Sequence, residues 1–358
     1  MSSTWGNNIK LSIFGGSHTG AIGVVLDNLP PNEKIDLDAV RVQMARRAPG
    51  KDKTATTRVE ADEPEILSGL LDGVTTGAPL AAIIHNTNMR SKDYADLKVH
   101  PRPGHADYTA AVRYDGANDI RGGGHFSGRL TACLVFAGAV CRQILARRGI
   151  TIGAHALQIG TAKDAPFDPV HISAEDLDAL NTRFFSVTDP AAEAAMREEI
   201  ENARLDADSL GGIIECAAVG VPAGIGSPMF GGIENVFSSI LYGIPAVKGV
   251  EFGAGFSVAG MRGSENNDPF YYDENGCVKT ETNHAGGILG GITTGMPILF
   301  RLAVKPTPSI GKAQKTVDLS TKQNDTLTIT GRHDPCIVPR AIPVAEAAAA
   351  IALMDLMR

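Results

Sequence analysis

Two stretches of the chain repeat one pattern, and this internal similarity constrains the fold most. Residues 70–84 read LLDGVTTGAPLAAII and residues 288–302 read ILGGITTGMPILFRL, so Gly, Thr-Thr-Gly and Pro recur at matched offsets. Each copy precedes a polar segment, RPGHAD at 102–107 and GRHDPC at 331–336, and then an apolar helix that contains alanine. Turn chemistry alone favours these residues between strands. An ancient duplication is the alternative interpretation.

A duplication would place two similar halves across one site and pack the two apolar helices together between sheets. We therefore predict an α+β fold: a layered β-α-β sandwich with two pseudo-repeated halves and central helices. The chain is predicted to form a single domain, 1–358, with internal halves at about 1–150 and 210–358. An acidic segment with a helical pattern, at about 164–205, would join them as a solvated face or partner surface.

Local patterns predict the individual elements. Strands are expected at 10–14, 21–26, 80–84, 212–221 and 246–252. Helices are expected at 37–47, with Asp36 as the cap, at 127–148 and at 341–357. The 127–148 helix is apolar on nearly every face, which is typical of a buried helix.

Composition excludes several classes of protein. Lys and Arg total 33 against 40 Asp and Glu, and the net charge of −7 argues against nonspecific binding to nucleic acid. No signal peptide is expected, and the longest apolar run, 130–141, is shorter than the roughly 20 residues that span a bilayer. These features predict a soluble cytoplasmic protein. The 5 cysteines contain no CxxC pair, so neither a disulfide framework nor a metal site is expected.

Glycine is abundant, with 40 residues, and predicts loops in which the backbone approaches a ligand closely. In FGGSHTG, His18 follows a strand between glycines, where it is either a proton-exchanging group or a surface residue. The segment RGGGHFSGR at 121–129 runs into the long apolar helix, whose N-terminus favours an anion. Arg121 and Arg129 are its candidate anion partners, and Ser127 is a candidate N-cap and a candidate phosphate ligand, two roles that are compatible with each other.

Two further polar segments carry candidate chemistry. In RPGHAD, Arg102 offers a two-pronged donor for carboxylate or phosphate, and Asp107 is placed to orient the imidazole of His105. In GRHDPC, Asp334 is a better candidate base than His333, with a salt-bridged structural turn as the alternative. The residues together predict an enzyme that acts on a small molecule with several negative charges.

Taken in order, the motifs FGGSHTG, RRAPGKDK, RSKDY, RPGHADYT, RGGGHFSGR, VKGVEFG, NHAGGILGG, KPTPS and GRHDPC resemble the chorismate synthase family along nearly the whole chain. The resemblance implies a shikimate-pathway lyase of aromatic amino acid biosynthesis. Such an enzyme converts 5-enolpyruvylshikimate 3-phosphate to chorismate and phosphate by a 1,4-anti elimination that requires reduced FMN. It also implies a cytoplasmic homotetramer.

The resemblance assigns roles residue by residue. His18 would protonate the departing phosphate, His105 would manage protonation of the reduced flavin, and Asp334 would remove the C6 proton together with the flavin. The residues implied for substrate binding are Arg47, Arg102, Arg129 and Arg332. Those implied for FMN are His125, Phe126, Ser127, Ala246, Gly290, Lys305, Pro306, Thr307, Pro308, Ser309 and Arg332. NADPH would be used, through Arg47 and Lys53, only by a self-reducing enzyme; otherwise a separate flavin reductase is implied.

The sequence departs from the family pattern at the flavin loop. The usual GGGRSSARET reads GGGHFSGRLT, so His125 replaces an arginine, Phe126 a serine and Leu130 a glutamate. Loss of a hydrogen bond from a charged group costs on the order of 1.5–3 kcal/mol. A non-catalytic paralogue that binds flavin or an anion is therefore an alternative. A third hypothesis is a related elimination on another phosphorylated cyclic acid.

Overall fold

The computed structural model describes residues 3–50, 54, 62–87, 96–329 and 334–358. Its strands are β1 Thr4–Trp5, β2 Lys10–Gly15, β3 Ala21–Asp27, β4 Pro64–Ser68, β5 Leu70–Leu71, β6 Val74–Thr75, β7 Leu80–His85, β8 Thr151–Ile159, β9 Ala162–Lys163, β10 Gly212–Val219, β11 Val247–Phe252, β12 Phe270–Tyr272, β13 Val278–Thr280, β14 Ile288–Leu289, β15 Ile292–Thr293, β16 Ile298–Val304, β17 Gln314–Asp318 and β18 Gln323–Leu327. Its α-helices are α1 Leu37–Arg47, α2 Asp107–Arg113, α3 Thr131–Ala146, α4 Ala174–Leu180, α5 Pro190–Leu205, α6 Ile233–Leu241, α7 Gly263–Asn266 and α8 Val338–Leu356. The mixture of helices and strands confirms the predicted fold class.

Two antiparallel five-stranded sheets organise these elements. The first has the order β1-β2-β3-β7-β4 and the second has the order β11-β16-β10-β8-β9. Ile13 lies opposite Val24 in the first sheet, and Cys216 lies opposite Phe300 in the second. When the second sheet is read from its other end, β8-β10-β16-β11 takes the places of β2-β3-β7-β4.

The two similar sequence segments adopt one local structure. Each forms a small hairpin, β5-β6 or β14-β15, followed by a central strand of a sheet, β7 or β16. The Thr75 hydroxyl donates to the Pro30 carbonyl and accepts from a backbone N–H, and the Thr293 hydroxyl does the same with the Pro222 carbonyl. The shared letters therefore correspond to shared hydrogen bonds and not only to a common turn type.

Helices α3 and α8 pack against each other at backbone distance. A Cβ atom on Gly138 would lie 2.2 Å from the Cβ of Ala347, so only glycine fits at this crossing. Helix α8 also contacts β8 and β10 of the second sheet, and α3 contacts β3 of the first sheet and β8 of the second. Burial on every side explains why both helices are apolar around their circumference.

Helix α1 carries two consecutive arginines to the centre of the molecule. The helix begins where the Asp36 carboxylate accepts hydrogen bonds from the backbone of Asp38 and Ala39, as predicted. It ends before Pro49, which favours an extended conformation at Ala48. In the last turn, Arg46 points to Glu346 of α8, with Nη1 2.5 Å from Oε2. This buried pair, which Arg142 joins, ties α1 to α3 and α8.

A second buried ionic cluster lies in the second sheet. Nδ1 of His155 is 2.8 Å from an Asp164 oxygen, and Nε2 is 3.1 Å from an Glu215 oxygen. The Asp164 carboxylate also accepts from the backbone and hydroxyl of Thr188. The cluster therefore fastens the start of the acidic segment, which contains α4 and α5, to strands β8 and β10.

The cysteines and the most apolar helix both lie largely in the buried core. Four cysteines are buried and Cys277 is exposed, which agrees with the expectation that most act as small apolar residues. Residues Gly128–Ala146 are long and apolar enough to cross a membrane, but 83% of that window is buried inside the protein, as in a core helix.

Candidate active site

A cleft of about 700 Å³ opens where α1, α8 and four loops meet. Its walls come from six segments, which contribute Arg47 and Pro49, Arg102 and 104–106, Gly122, 125–129 and Thr131, 242–247, Lys305 and 307–309, and Asp334, Ile337, Arg340, Ala341 and Val344. Most of the predicted site residues lie on these walls: Arg47, Arg102, His105, His125, Phe126, Ser127, Arg129, Ala246, Lys305, Thr307, Pro308, Ser309 and Asp334. Residues that are up to about 290 positions apart in sequence are thus brought to one place.

Several predicted residues lie elsewhere. Gly290 is in the turn between β14 and β15, and neither it nor Pro306 is among the described residues that line the cleft. Arg121 is also not on its walls: its guanidinium pairs with Asp119 at 2.7 Å and is half exposed, and its expected anion contact at the mouth stays a prediction. Arg332 and Lys53 fall outside the described residues.

The triple-glycine loop separates the two predicted catalytic histidines. Gly122, Gly123 and Gly124 all have positive φ angles, of 59°, 85° and 54°. A Cβ on Gly122 would lie 2.3 Å from the ring of His18, and one on Gly123 would lie 3.1 Å from the ring of His105. Side chains are therefore excluded here both by backbone conformation and by the two imidazoles.

His18 itself is buried behind this loop. Its Nδ1 lies 3.1 Å from the hydroxyl of Ser17, which also contacts the carbonyls of Arg121 and Gly122. Gly122 lines the cleft, so the ring of His18 stands directly behind one wall. Ser17 was not singled out from the sequence, although its position beside His18 was a usable signal.

Arg102, His105 and Asp107 form the cluster that their spacing predicts. Asp107 accepts two hydrogen bonds from the Arg102 guanidinium, each 2.8 Å long, and its Oδ1 is 2.6 Å from Nδ1 of His105. Burial alone raises the pKa of Asp107, but the hydrogen bonds from Arg102 and His105 outweigh burial and hold that pKa well below its usual range. The ionised carboxylate orients the imidazole, whose other edge faces Gly123 and the cleft.

Arg47 and Arg129 share one buried carboxylate, that of Asp62. Nη1 of Arg47 lies 2.6 Å from Oδ2 of Asp62, and Nη1 of Arg129 donates to Oδ1. Burial lowers the pKa of Arg47 and Asp62 opposes this effect, while Arg340 and Arg129 add to it. Burial raises the pKa of Asp62, but the two arginines outweigh it and keep that pKa below its ordinary value.

Asp334 is held by a residue of the last helix. Nη1 of Arg340 donates to Oδ2 of Asp334, and Nε of Arg340 donates to the carbonyl of Arg47 over 3.0 Å. Arg340 thereby connects the predicted base to the end of α1. Arg340 is not among the predicted site residues, although an isolated arginine in an apolar, alanine-rich helix is a recognisable signal.

The 305–309 loop closes one side of the cleft. Ser309 accepts from Nη1 of Arg102 over 3.1 Å, and the Lys305 ammonium donates to the carbonyl of Gly104. Burial, with a smaller contribution from Lys248, lowers the pKa of Lys305. The hydroxyl oxygen of Thr307 is buried without a hydrogen-bond partner among the described residues. An unpartnered buried hydroxyl on the wall of a cleft is suited to a bound ligand.

The two altered residues of the glycine loop have distinct surroundings. Nδ1 of His125 is 2.8 Å from the Gly15 carbonyl, and Nε2 is 2.7 Å from the Ser3 hydroxyl. Phe126 lies beside Tyr114, with ring centroids 6.3 Å apart. Ser127 caps the short 3-10 turn Gly128–Leu130 through the backbone N–H of Arg129, so its capping role is confirmed.

Among the described residues, no group of His, Cys, Asp and Glu is arranged to hold a metal ion.

The cleft is therefore suited to bind a small polyanion and to move protons. Arginines from three segments supply fixed positive charge, and histidine and aspartate supply groups that change protonation in water.

The sequence model of the chorismate synthase family matches residues 9–357. Chorismate synthase of Thermococcus kodakarensis is 47% identical over 350 residues, which cover 98% of this chain and 96% of that protein.

Other comparisons agree. Chorismate synthase of Methanothermobacter thermautotrophicus is 45% identical over 354 residues, covering 98% of this chain and 93% of that protein. A crystal structure of chorismate synthase superposes with a TM-score of 0.76 and 28% identity, covering 99% of this chain and 92% of that one. With the motifs, the fold and the cleft in agreement across nearly its whole length, the chain belongs to the chorismate synthase family.

Proposed function

We propose that the chain converts 5-enolpyruvylshikimate 3-phosphate to chorismate and phosphate in this cleft. The reaction breaks the C6–H and C3–O bonds and releases phosphate, with no net redox change. The observation that carries the proposal is the convergence of His105 and Asp334 with Arg47, Arg102 and Arg129 on one cleft, with His18 directly behind the glycine wall. Membership of the chorismate synthase family supports it.

The arginines bind and orient the substrate. Its two carboxylates and its phosphate match the guanidinium groups of Arg47, Arg102 and Arg129, and Arg332 is proposed as a fourth. Each of the three described guanidinium groups is already fixed by a carboxylate, Asp62 or Asp107, so little rotamer freedom remains to be lost on binding.

Three residues handle protons. His18 protonates the departing phosphate, and Ser17 beside Nδ1 restricts its ring. Asp334 removes the C6 proton, with Arg340 holding its carboxylate in place. His105 manages protonation at the cofactor, and the ionised Asp107 keeps its imidazole in one orientation.

Reduced FMN is the proposed cofactor, and the residues present fit it. The buried Thr307 hydroxyl without a partner is one donor that a ligand would satisfy, and Phe126 offers an aromatic surface on the cleft. The residues proposed to hold FMN are His125, Phe126, Ser127, Ala246, Lys305, Pro306, Thr307, Pro308, Ser309 and Arg332. Gly290 is also proposed to contact FMN, although it does not line the cleft described here. When bound, reduced FMN supplies transient electron donation to the substrate.

The source of reduced flavin is a separate question. We propose that a distinct flavin reductase supplies it. NADPH would serve directly, through Arg47 and Lys53, only if the enzyme reduces its own flavin. Assay of NADPH oxidation by the purified protein with FMN alone distinguishes the two routes.

A homotetramer in the cytoplasm is the proposed assembly and location. Support for assembly comes from large apolar side chains exposed in the C-terminal half, such as Phe230 at 85% and Phe256 at 86% exposure. Others of this kind are Met229, Phe270, Tyr272 and Leu289. Light scattering of the purified protein tests the stoichiometry.

We further propose a single domain with a layered β-α-β arrangement and two pseudo-repeated halves, about 1–150 and 210–358. The matched sheet orders and the paired roles of Thr75 and Thr293 support duplication. The packing of α3 against α8, with α3 contacting a strand of each sheet and α8 contacting the second sheet, supports the layering.

The decisive test is an anaerobic assay with reduced FMN and 5-enolpyruvylshikimate 3-phosphate. The expected result is phosphate release by the wild type and a release that is slower by orders of magnitude in His105→Ala. Tight flavin binding without turnover would contradict the proposal and favour a non-catalytic paralogue. Faster turnover of a different phosphorylated cyclic acid in side-by-side competition would instead favour the third hypothesis.

A further inference from the structure

We infer that Asp62 is a positioning and specificity residue, which fixes the spacing of Arg47 and Arg129 and keeps the cleft from retaining small anions. The inference rests on the proposal that this cleft binds the substrate. Asp62 belongs to none of the motifs that predicted the site, and it touches the two arginines rather than the cleft itself.

Asp62 holds the two arginines at a fixed spacing. The side chain of Asp62 is completely buried, and each of its two oxygens takes a different guanidinium. Arg47 ends α1, Arg129 precedes α3 and Asp62 precedes β4, so the carboxylate joins three separate elements. The arginines have further fixed contacts: Nε of Arg47 donates to Thr131 over 3.1 Å, and Nε of Arg129 donates to Asn86 over 3.0 Å.

Asp62 also sets the charge of the arginine pair. Arg47 and Arg129 both line the cleft, and Asp62 stands behind them. The shared carboxylate lowers the net charge of this part of the site by one unit. Without that unit of negative charge, the pair would bind small oxyanions more strongly, including the phosphate that the reaction releases.

A larger substrate is affected differently. It carries several anionic groups and also reaches Arg102, which has its own carboxylate partner, Asp107. Its binding therefore depends on correct spacing among arginines more than on the charge of one pair. Asp62 weakens the hold on inorganic phosphate while preserving the alignment of the substrate, which favours product release.

The test compares Asp62→Asn and Asp62→Glu with the wild type. Phosphate affinity is measured from the phosphate-dependent rise in unfolding temperature, and kcat and KM from anaerobic turnover. We expect Asp62→Asn to bind phosphate about tenfold more tightly, the change for removing one charge about 6 Å away at an effective dielectric constant of about 40. Its kcat/KM should fall about 100-fold because the arginines are misplaced.

Asp62→Glu keeps the charge and changes the position. We expect its phosphate affinity to stay near the wild-type value while kcat/KM falls, and this result remains measurable if Asp62→Asn does not fold. The matched control is Asp355→Asn, which removes another buried carboxylate, one that accepts from the backbone of Asn7, Asn8 and Ile9. It should lower the unfolding temperature without changing phosphate affinity or KM.

Two outcomes would overturn the inference. If Asp62→Asn weakens phosphate binding and turnover in parallel, Asp62 has only a structural role. If both are unchanged, it has no role in the cleft. The variant Arg129→Ala tests the proposed anion site separately from the role of Asp62. Unchanged phosphate affinity in this variant would show that the anion site lies elsewhere. Weaker phosphate affinity would support the anion site, so that the Asp62 variants then test only the role of Asp62.

Discussion

Two histidine–aspartate pairs in the molecule have nearly the same geometry and different surroundings. Nδ1 of His105 is 2.6 Å from Asp107, and Nδ1 of His155 is 2.8 Å from Asp164. The far edge of the His105 ring faces Gly123 and the cleft, whereas the far edge of the His155 ring meets a second carboxylate, Glu215. The His155 side chain is fully buried.

The difference shows what separates a candidate catalytic histidine from a structural one. Both rings have the carboxylate partner that orients an imidazole, so the pair alone does not identify a site. Arg102 neutralises the carboxylate beside His105, while the two carboxylates around His155 raise the pKa of that ring and favour its charged form. The neighbour on the far side of the ring determines whether it can exchange a proton with a ligand.

Removal of His105 has the largest expected effect. We expect His105→Ala to lower the rate of phosphate release about 10²- to 10⁴-fold, the usual contribution of a group that manages protons. Its unfolding temperature should stay close to that of the wild type because the ring borders a cleft. Anaerobic turnover and thermal unfolding measure the two effects. His171→Ala, at a histidine that is 79% exposed, is the control and should change neither.

Removal of His155 should lower the stability of the protein and leave turnover unchanged, the reverse of the result expected for His105. His155→Ala leaves Asp164 and Glu215 buried without their shared partner, so we expect the free energy of unfolding to fall by about 3–5 kcal/mol. The rate per folded molecule should be unchanged. Urea unfolding and active-site titration measure these quantities. A loss of turnover in the folded variant would break the distinction between the two pairs.

The pH dependence of stability sharpens the comparison. Burial lowers the pKa of His155, but its hydrogen bonds to Asp164 and Glu215 outweigh burial and raise that pKa above its ordinary value. Burial raises the pKa of Asp164, but His155 and Thr188 outweigh it and hold that pKa at about 2. The histidine therefore contributes stability that is lost as pH rises through its raised pKa, and the aspartate contributes stability that is lost as pH falls towards about 2.

The raised pKa of His155 and the lowered pKa of Asp164 together predict how stability depends on pH. The stability advantage of the wild type over His155→Gln should be greatest between about pH 4 and pH 6.5 and should shrink on either side. Urea unfolding at a series of pH values measures it. An advantage that is constant from pH 4 to pH 9 would mean that His155 does not carry the charge assigned to it.

The smallest effect is expected at the altered flavin loop. His125 is engaged by the Gly15 carbonyl and the Ser3 hydroxyl, so its ring has a structural role of its own. Restoring the family's residue with His125→Arg exchanges these contacts for others, and we expect turnover to change by no more than about fivefold, the worth of one hydrogen bond. A much larger gain in the anaerobic assay would show that the substitution has weakened flavin binding.

Local signals in the sequence predict many of the elements. Asp36 and Pro49 delimit α1, and the helix spans 37–47 as predicted. The long apolar helix begins at Thr131 instead of 127, because Ser127 caps a 3-10 turn that precedes it. Helix α8 begins three residues earlier than predicted, because Pro339 lies in the first turn, where its missing N–H is not needed.

In the candidate site, contacts between neighbouring residues can be predicted from the sequence, whereas contacts between distant segments cannot. Arg102, His105 and Asp107 lie within six residues, so their contact follows from spacing. Asp62 pairs with arginines from two other segments, and Arg340 donates to the distant carbonyl of Arg47; no local pattern reveals these contacts. The catalytic roles assigned to His18, His105 and Asp334 stay predictions that the assays above test.

The glycine wall between His18 and His105 has a consequence for protein engineering. A library that varies the cleft should yield almost no functional substitutions at Gly122 and Gly123, because φ is positive at both and a Cβ on Gly122 would also collide with the ring of His18. At Gly20 and Gly128 an added Cβ meets nothing within 4 Å, so the same library should accept many residues there. New specificity is therefore easier to select at the rim of this cleft than at its centre, where two rings and one loop can only change together.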